Sequence, residues 1–166
     1  MKLRGIFFTL AILFYYSTLK ASENINLMQT MYIYNYIKLI KWPDESVGEK
    51  FIIGVYGSDQ MYTALNEYTK TRKVGPKSIL IMNLRSPADA VKCQVVFISS
   101  EKSSSSSELK DYLENKSCLV ISEKEGVSHS GIEFIKKNDK LGFKINENTL
   151  RTHKLIISQQ LMKMSI

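Results

Sequence analysis

Hydrophobic residues recur at helical spacing close to the start of the chain, on two faces of one segment. Residues 25–41 predict a helix, with Asn24 as its N-cap and Pro43 just beyond its end. One face is apolar and predicts a core contact: Ile33, Tyr36, Ile37 and Ile40. The opposite face carries a mixed stripe: Met28, Met31, Asn35, Lys38 and Trp42. Such a helix is either packed between two layers or keeps one face for a partner.

Beyond this helix, buried strands alternate with amphipathic helices. The pattern predicts strands at 51–57, 78–84, 94–99 and 119–122, and helices at 58–69 and 108–114. The serine run 103–107 predicts a flexible surface loop. Residues 132–145 alternate on either side of Asn138-Asp139, as a β-hairpin does, and an amphipathic helix, broken near Ser158, is predicted from Glu147 onwards. We therefore predict a single α/β domain whose mixed, mostly parallel sheet is flanked by helices, with a C-terminal hairpin and terminal helix.

The first residues predict export from the cytoplasm. Lys2 and Arg4 precede an apolar run at 6–16, and Ala21 offers a small residue for cleavage. That run is shorter than the roughly 20 apolar residues of a membrane-spanning helix. We predict a signal peptide at 1–21 and one domain at 22–166, with a retained N-terminal anchor as the alternative.

Charge and composition narrow the choice of partners. The 166-residue chain has a formal net charge of +7, which falls to +4 when Lys2, Arg4 and Lys20 leave with the signal peptide. A net charge this small does not indicate nucleic-acid binding. One basic patch stands out, formed by Lys70, Arg72, Lys73 and Lys77. It fits either attraction to anionic phospholipid headgroups or a solvated turn.

Two cysteines, Cys93 and Cys118, each stand at the start of a predicted strand. If the two strands are neighbours, their first residues come about 5 Å apart, within reach of a disulfide. An intervening strand would prevent the bridge. A Cys93–Cys118 disulfide and two free, half-buried thiols both remain open.

Candidate catalytic chemistry is sparse. Ser128-His129-Ser130 lacks the strand-turn-helix setting of a nucleophilic serine, and His153 is distant in the predicted order. Two histidines and two cysteines at these spacings match no usual zinc pattern. Gly57-Ser58, between a strand and a helix, offers an anion-binding helix start but lacks the full glycine pattern of a nucleotide site. We therefore expect no catalytic residues, no cofactor and no metal.

Several segments together resemble the YfiR family. The segments are MYIYNYIKLIKWP, then FIIGVYGSD, CQVVFISS and SCLVISEKEG, and finally GIEFIKKNDKLGFKINENTLRTHKLIISQQLMKM. The last contains the family's order of Gly-x-Ile-x-Phe and Phe-x-Ile-Asn, followed by an Ile-Ser segment. The resemblance extends from about Met28 to Met164. It implies a periplasmic, often dimeric α/β domain without catalytic activity that restrains an inner-membrane diguanylate cyclase.

Position by position, the resemblance assigns two sets of residues. The candidate partner-binding residues are Tyr34, Asn35, Lys38 and Trp42. The signature residues with an expected structural role are Pro43, Gly57, Gly131, Phe143, Asn146, Ser158 and Leu161, to which Cys93 also belongs. This chain departs from the family in its cysteines. Cys118 has no counterpart, and the second cysteine pair of the best known members is absent before the Phe-x-Ile-Asn strand, so the resemblance does not extend to the redox control of those members.

Two functional hypotheses follow. The first is a periplasmic inhibitor that binds the extracytoplasmic part of a membrane sensor, of the diguanylate cyclase or the histidine kinase type. The second is a small-ligand module that binds an anion at Gly57-Ser58. A homodimer is compatible with either, and nucleic acid is not expected as a partner.

Overall fold

The computed structural model describes residues 25–43, 47–137 and 140–166. Helix α1 spans residues 25–39. The strands are β1 Ile40–Lys41, β2 Phe51–Tyr56, β3 Lys73–Val74, β4 Lys77–Leu84, β5 Val95–Ile98, β6 Leu119–Ser122, β7 Ile132–Lys137, β8 Lys140–Ile145 and β9 Ile156–Ile157. The further α-helices are α2 Asp59–Thr69, α3 Ser106–Leu113, α4 Glu147–Thr152 and α5 Gln159–Met164, and 3₁₀ helices span Pro87–Lys92 and Ser100–Ser105. The predicted signal peptide, the Asn24 cap and the Asn138-Asp139 turn lie outside the described residues.

Seven strands form one mixed sheet in the order β3-β4-β2-β5-β6-β7-β8. The five strands from β4 to β7 are parallel, and the outer β3 and β8 pair antiparallel to their neighbours. The predicted mixed sheet and its antiparallel C-terminal hairpin are therefore confirmed. Taken alone, the five parallel strands lie in the order β4-β2-β5-β6-β7, which is a doubly wound order. The order in which strands are added reverses between the first and the third of them along the chain, β2 and β5.

The sheet is covered on both faces, which explains its uninterrupted apolar strands. In β5, Val95 and Phe97 point into the core beneath α1 and α2, whereas Val96 and Ile98 point into the core beneath α3. Leu109 and Leu113 fasten α3 to that second core. Alternate side chains of a strand point to opposite faces of the sheet, and because both faces are buried, those of β5 are all hydrophobic.

Two of the predicted helices differ from the structure. Helix α1 ends at residue 39 rather than 41, because Ile40–Lys41 leaves the helix to pair antiparallel with Ile156–Ile157. The predicted C-terminal helix is therefore two short helices separated by β9. The predicted break near Ser158 is confirmed, since Ser158 is the N-cap of α5 and its Oγ accepts a hydrogen bond from Leu161 N.

The serine run is helical, so the predicted flexible loop is wrong. Ser103 lies in a 3₁₀ helix and its Oγ donates to the carbonyl of Ser100, while Ser106 begins α3 and is buried. The apolar side chains that follow, Leu109 and Leu113, bury one side of the segment. Packing of that side outweighs the weak helical preference of serine.

Candidate interaction surface

The outward face of α1 is exposed and carries no acidic residue. Leu27 is 46% exposed, and Met28 and Met31 are each 44% exposed. Asn35 and Lys38 follow on the same side and are also exposed. Apolar side chains exposed in a row, next to polar ones, are typical of interaction sites rather than of an inert surface. We call the side chains of Leu27, Met28, Met31, Asn35 and Lys38 the α1 face.

Contacts on both flanks fix the orientation of α1. On one flank, Thr30 Oγ1 donates to Met61 Sδ of α2 at 3.5 Å. On the other, the Tyr32 hydroxyl donates to the carbonyl of Leu141 in β8 at 3.4 Å. Beneath the helix, Tyr36 packs on the hairpin, with its ring centroid 4.7 Å from that of Phe143. The α1 face is therefore held outward by a rigid scaffold, which lowers the entropic cost of binding.

Near the C-terminal end of the α1 face, the ring of Tyr34 contacts the cationic side chains of Lys38 and Arg72. This ring makes an edge contact with Tyr68 of α2, with centroids 5.8 Å apart. The guanidinium carbon of Arg72 lies 4.1 Å from the Tyr68 ring centroid and 5.5 Å from that of Tyr34. Lys38 Nζ lies 5.3 Å from the Tyr34 ring centroid. We call Tyr34, Lys38, Tyr68 and Arg72 the Tyr34 cluster, in which two cations share aromatic faces.

The positive charge of the Tyr34 cluster is not neutralised within the described ranges. The ion pairs found there join Lys144 to Glu125 and Arg151 to Glu147, so neither involves Lys38 or Arg72. Arg72 Nε is buried without a hydrogen-bond partner among the described residues. A buried donor without a partner costs free energy. Because Nε is buried, the cluster offers its positive charge to a partner through the exposed Lys38 and the half-buried Arg72.

Trp42 does not lie on this surface. It is 7% exposed, and its ring stands perpendicular to that of Phe51 with centroids 5.1 Å apart. The helix has ended three residues earlier, so the helical spacing that aligned Trp42 with Lys38 no longer applies. Of the four candidate partner-binding residues, the structure brings Tyr34, Asn35 and Lys38 together on the outside and places Trp42 in the core.

Sequence reasoning missed Tyr68 and Arg72 as members of the surface. The sequence places Arg72 in the basic patch and Tyr68 within the predicted helix 58–69, and no pattern connects the two to Tyr34. A signal was available, because the two are four residues apart across the end of α2, where an aromatic ring and a cation meet on one side of a helix. Their contact with Tyr34 is tertiary and has no sequence signature.

The start of α2 is the second candidate site. Gly57, with a φ of 90°, and Ser58 lie at the carboxyl ends of β2 and β5, where the strand order reverses. Open α/β sheets place ligands at such a reversal. Here, however, Ser58 Oγ accepts a hydrogen bond from Met61 N, and a Cβ at position 57 would collide with the side chains of Lys102 and Ser99. The position is closely covered by this chain's own side chains.

The polar loop at Ser128-His129-Ser130 is organised by hydrogen bonds of its own. Ser128 Oγ lies 3.1 Å from Ser106 Oγ, and Ser130 Oγ bonds the Glu133 carboxylate at 2.8 Å. His153 is remote from this loop in its contacts, since its Nδ1 bonds the carbonyl of Lys116. Within the described ranges no group of three or more His, Cys, Asp or Glu side chains is arranged to hold a metal ion.

The two thiols are buried and unbridged in the structure. Strands β5 and β6 are neighbours, as the candidate disulfide requires, but their register is offset for the cysteines. Leu119 N donates to the carbonyl of Gln94 at 2.8 Å, and Val95 is aligned with Leu119, so Gln94 rather than Cys93 stands opposite Cys118. Burial raises the pKa of Cys93 to about 12 and that of Cys118 well above its usual value. Both thiols are therefore protonated at neutral pH.

The remaining signature residues lie in the core, at turns or at helix ends. Asn146 Oδ1 accepts from Thr149 N at the start of α4, just as Ser158 Oγ accepts from Leu161 N at the start of α5. A Cβ on Gly131 would lie 2.8 Å from Leu150 Cδ2. Phe143 and Leu161 are buried, Gly57 makes the left-handed turn before Ser58, and Pro43 follows Trp42 at the end of β1.

The chain forms a doubly covered α/β domain whose first helix presents an exposed face. A family model described as YfiR/HmsC-like matches residues 27–166, so the chain belongs to the YfiR/HmsC-like family. That family consists of periplasmic regulators of diguanylate cyclase signalling and is generally non-enzymatic. A search of curated proteins finds no match. None of the helices in the described ranges is long and apolar enough to cross a membrane.

Proposed function

We propose that this chain is a periplasmic inhibitor that binds the extracytoplasmic part of an inner-membrane sensor and holds it inactive. The single observation that carries the proposal is the α1 face, where three apolar side chains, Asn35 and Lys38 stand exposed on a helix fixed from both flanks. A partner that covers this face gains hydrophobic burial at one end and polar contacts at the other. The family's role makes a diguanylate cyclase the first sensor to test, with a histidine kinase as the second.

The proposal includes export. Residues 1–21 act as a cleaved signal peptide, and the domain then begins at Ser22. N-terminal sequencing of the protein recovered from the periplasmic fraction tests this. A first residue at Ser22 supports it, whereas an uncleaved chain in the membrane fraction would show a retained anchor.

Site-specific photocrosslinking in intact cells tests the surface. A photoreactive amino acid replaces Asn35 on the α1 face, and in a matched control it replaces Lys110, which is exposed on α3 across the sheet. We expect an inner-membrane sensor to crosslink to position 35 and not to position 110. Equal crosslinking at both positions, or at neither, would contradict the proposed surface. Crosslinking at position 35 to a second copy alone would favour a homodimer contact.

The double variant Asn35→Ala with Lys38→Ala tests the consequence for signalling. Both side chains are exposed, so the free energy of unfolding should change by no more than about 0.5 kcal/mol. Sensor binding should weaken by about tenfold or more, and cyclic di-GMP should rise towards the level of a strain lacking the protein. Lys110→Ala with Asp111→Ala on α3 is the control. A double variant that melts early would assign Asn35 and Lys38 a structural role instead.

The small-ligand hypothesis keeps one observation in its favour, the position of Gly57 and Ser58 at the reversal of strand order. Thermal unfolding in a panel of phosphate, sulfate and nucleotides tests it, because a ligand at 100 times its Kd adds about 2.7 kcal/mol. The α1 face is the better supported site, since Lys102 and Ser99 crowd the space next to Gly57.

A further inference from the structure

Arg72 is held in one orientation and forms no ion pair with another described residue. Its guanidinium lies against Tyr68 and Tyr34, and Tyr34 is itself fixed by a hydrogen bond from its hydroxyl to the carbonyl of Lys73 at 3.3 Å. Aromatic contacts of this kind restrict the rotation of the long side chain without using its N–H donors. Arg72 Nε is buried, so an incoming anion would bind the terminal amino groups of the guanidinium, which form no ion pair within the described ranges. The side chain is therefore ordered in advance for an incoming anion.

The chemistry of that anion follows from the guanidinium. Its planar fork of N–H donors matches the two oxygens of a carboxylate, and a partly buried pair of this kind is stronger than an exposed one. Lys38 adds a second charge on the neighbouring ring. Close to them in sequence, Lys41, Lys70 and Lys73 are exposed, and Glu67 is an exposed acidic residue in the last turns of α2. The surroundings therefore favour an acidic group of the partner.

The α1 face also fixes where the acidic group sits relative to apolar contacts. Met31, Asn35 and Lys38 follow one another at spacings of four and three residues, so they form one stripe. From Met31 to Lys38 the helix rises about 10 Å, or about two turns. A helix laid along this stripe meets apolar side chains at one end and cations two turns away. Methionine suits such a contact because its side chain adapts to the partner.

We propose that the Tyr34 cluster is a carboxylate-binding site, and that it receives an Asp or Glu from an amphipathic helix in the extracytoplasmic region of the sensor. The acidic residue lies about two turns from the apolar residues of that helix, which cover Met28 and Met31. This inference rests on the proposed function, because it names the chemistry by which the sensor is recognised. It extends the surface beyond α1, since Tyr68 and Arg72 belong to α2 and the segment after it.

Binding between the purified mature chain and the sensor region identified by crosslinking provides the test. Arg72→Gln removes the charge and the fork, whereas Arg72→Lys keeps the charge alone. Lys70→Gln is the matched control, because it removes one exposed cation close to Arg72. We expect the Kd to rise about 30-fold or more for Arg72→Gln, about tenfold for Arg72→Lys and less than about threefold for Lys70→Gln. Thermal unfolding of each variant shows whether the domain is intact.

A charge exchange then separates a direct contact from a loss of shape. Arg72→Glu should abolish binding, and a sensor with its matching acidic residue changed to Arg should recover at least about a tenth of the wild-type affinity for Arg72→Glu. If no such exchange recovers binding, or if Arg72→Gln binds like Lys70→Gln, the carboxylate site is wrong while the inhibitor function stands. If no sensor crosslinks to the chain with the photoreactive residue at position 35, the proposed function fails first.

Vesicles distinguish the other source of negative charge. The mature chain is mixed with vesicles of zwitterionic lipid and with vesicles containing about one quarter phosphatidylglycerol, at low and moderate salt. We expect Arg72→Gln and wild type to sediment with anionic vesicles to the same small extent. Vesicle binding that depends on Arg72, without an effect on the sensor, would overturn the proposal in favour of a membrane-facing patch.

Discussion

The ring of Tyr36 packs on the ring of Phe143, with centroids 4.7 Å apart and planes inclined at 50°, and so joins α1 to the C-terminal hairpin. Tyr36 is fully buried, and its hydroxyl has no hydrogen-bond partner among the described residues. Burial, with a smaller contribution from Tyr32, raises the pKa of that hydroxyl above its usual value. The aromatic ring therefore stabilises the core while the hydroxyl costs free energy.

Replacing Tyr36 by Phe should not destabilise the protein. Removing a buried hydroxyl that lacks a partner should leave the free energy of unfolding unchanged or raise it by about 1 kcal/mol. Tyr32→Phe is the matched control, because the Tyr32 hydroxyl donates to the carbonyl of Leu141 and its loss should cost about 0.5–1.5 kcal/mol. Urea denaturation of both variants gives the comparison. A larger loss for Tyr36→Phe than for Tyr32→Phe would show that the Tyr36 hydroxyl has an acceptor.

Gly54→Ala should destabilise the centre of the sheet. A Cβ at this position would lie 2.8 Å from both Cys93 Sγ and Leu84 Cδ1, so the core would have to shift. Overpacking of this kind costs about 1–3 kcal/mol. Gly48→Ala is the control, since its Cβ would meet no atom within 4 Å. Thermal unfolding should show a clearly lower Tm for Gly54→Ala only, and equal Tm values would contradict the tight packing.

The buried thiols predict a loss of stability at alkaline pH. Burial is the main cause of the raised pKa of both Cys93 and Cys118. The negative charge of Asp89 raises the pKa of Cys93 further, and the electrostatic interaction with Cys93 raises that of Cys118 further. In the unfolded chain a thiol loses its proton near pH 9, whereas in the folded protein it keeps it. The free energy of unfolding should therefore fall as the pH rises from about 9 towards 12, by up to about 1.4 kcal/mol per pH unit for each thiol.

Urea denaturation between about pH 8 and pH 11 measures this slope, and Cys93→Ala with Cys118→Ala should make it shallower. Native protein at neutral pH should leave a thiol reagent unreacted, whereas the unfolded chain should expose both thiols. Unfolded chains that show no free thiol without a reductant would demonstrate the disulfide and would remove the alkaline effect.

Ser158→Ala should loosen the last helix. Ser158 Oγ accepts from Leu161 N at 3.1 Å, and loss of such an N-cap costs about 1 kcal/mol. Gln159→Ala changes the adjacent, exposed residue and should have little effect. Amide hydrogen exchange at Leu161 should accelerate in Ser158→Ala and stay unchanged in Gln159→Ala. Equal exchange in the two variants would mean that burial of Leu161 alone holds α5.

The sequence was most informative where a periodic pattern was long. The stripe of Ile33, Tyr36 and Ile37 is buried as its helical spacing predicted, and the alternation around the hairpin matches β7 and β8. The pattern failed at Trp42, because periodicity describes a side chain only as long as the helix continues. It also failed at Ile156–Ile157, since a strand of two residues owes its existence to its partner β1 and leaves no period of its own.

The candidate surface was predictable only in part, for the same physical reason. The sequence predicts that Asn35 and Lys38 lie on one face because both belong to the same helix at helical spacing. Arg72 and Tyr68 reach Tyr34 from another element, and only the packing of α2 beside α1 brings them there. A contact between elements depends on the whole fold, so a local pattern does not contain it.

The short pairing of β1 with β9 affects when the end of α1 is secured during folding. Ile40 pairs with Ile157, and the Ser158 amide donates to the Leu39 carbonyl, so the end of the helix that carries Lys38 is secured by residues made near the end of synthesis. Contacts between such distant parts of a chain pay a large loop-closure entropy and form slowly. A nascent or clipped chain thus carries every side chain of the binding helix without its final anchor. We therefore expect a chain that lacks β9 to bind the proposed sensor more weakly than the intact chain.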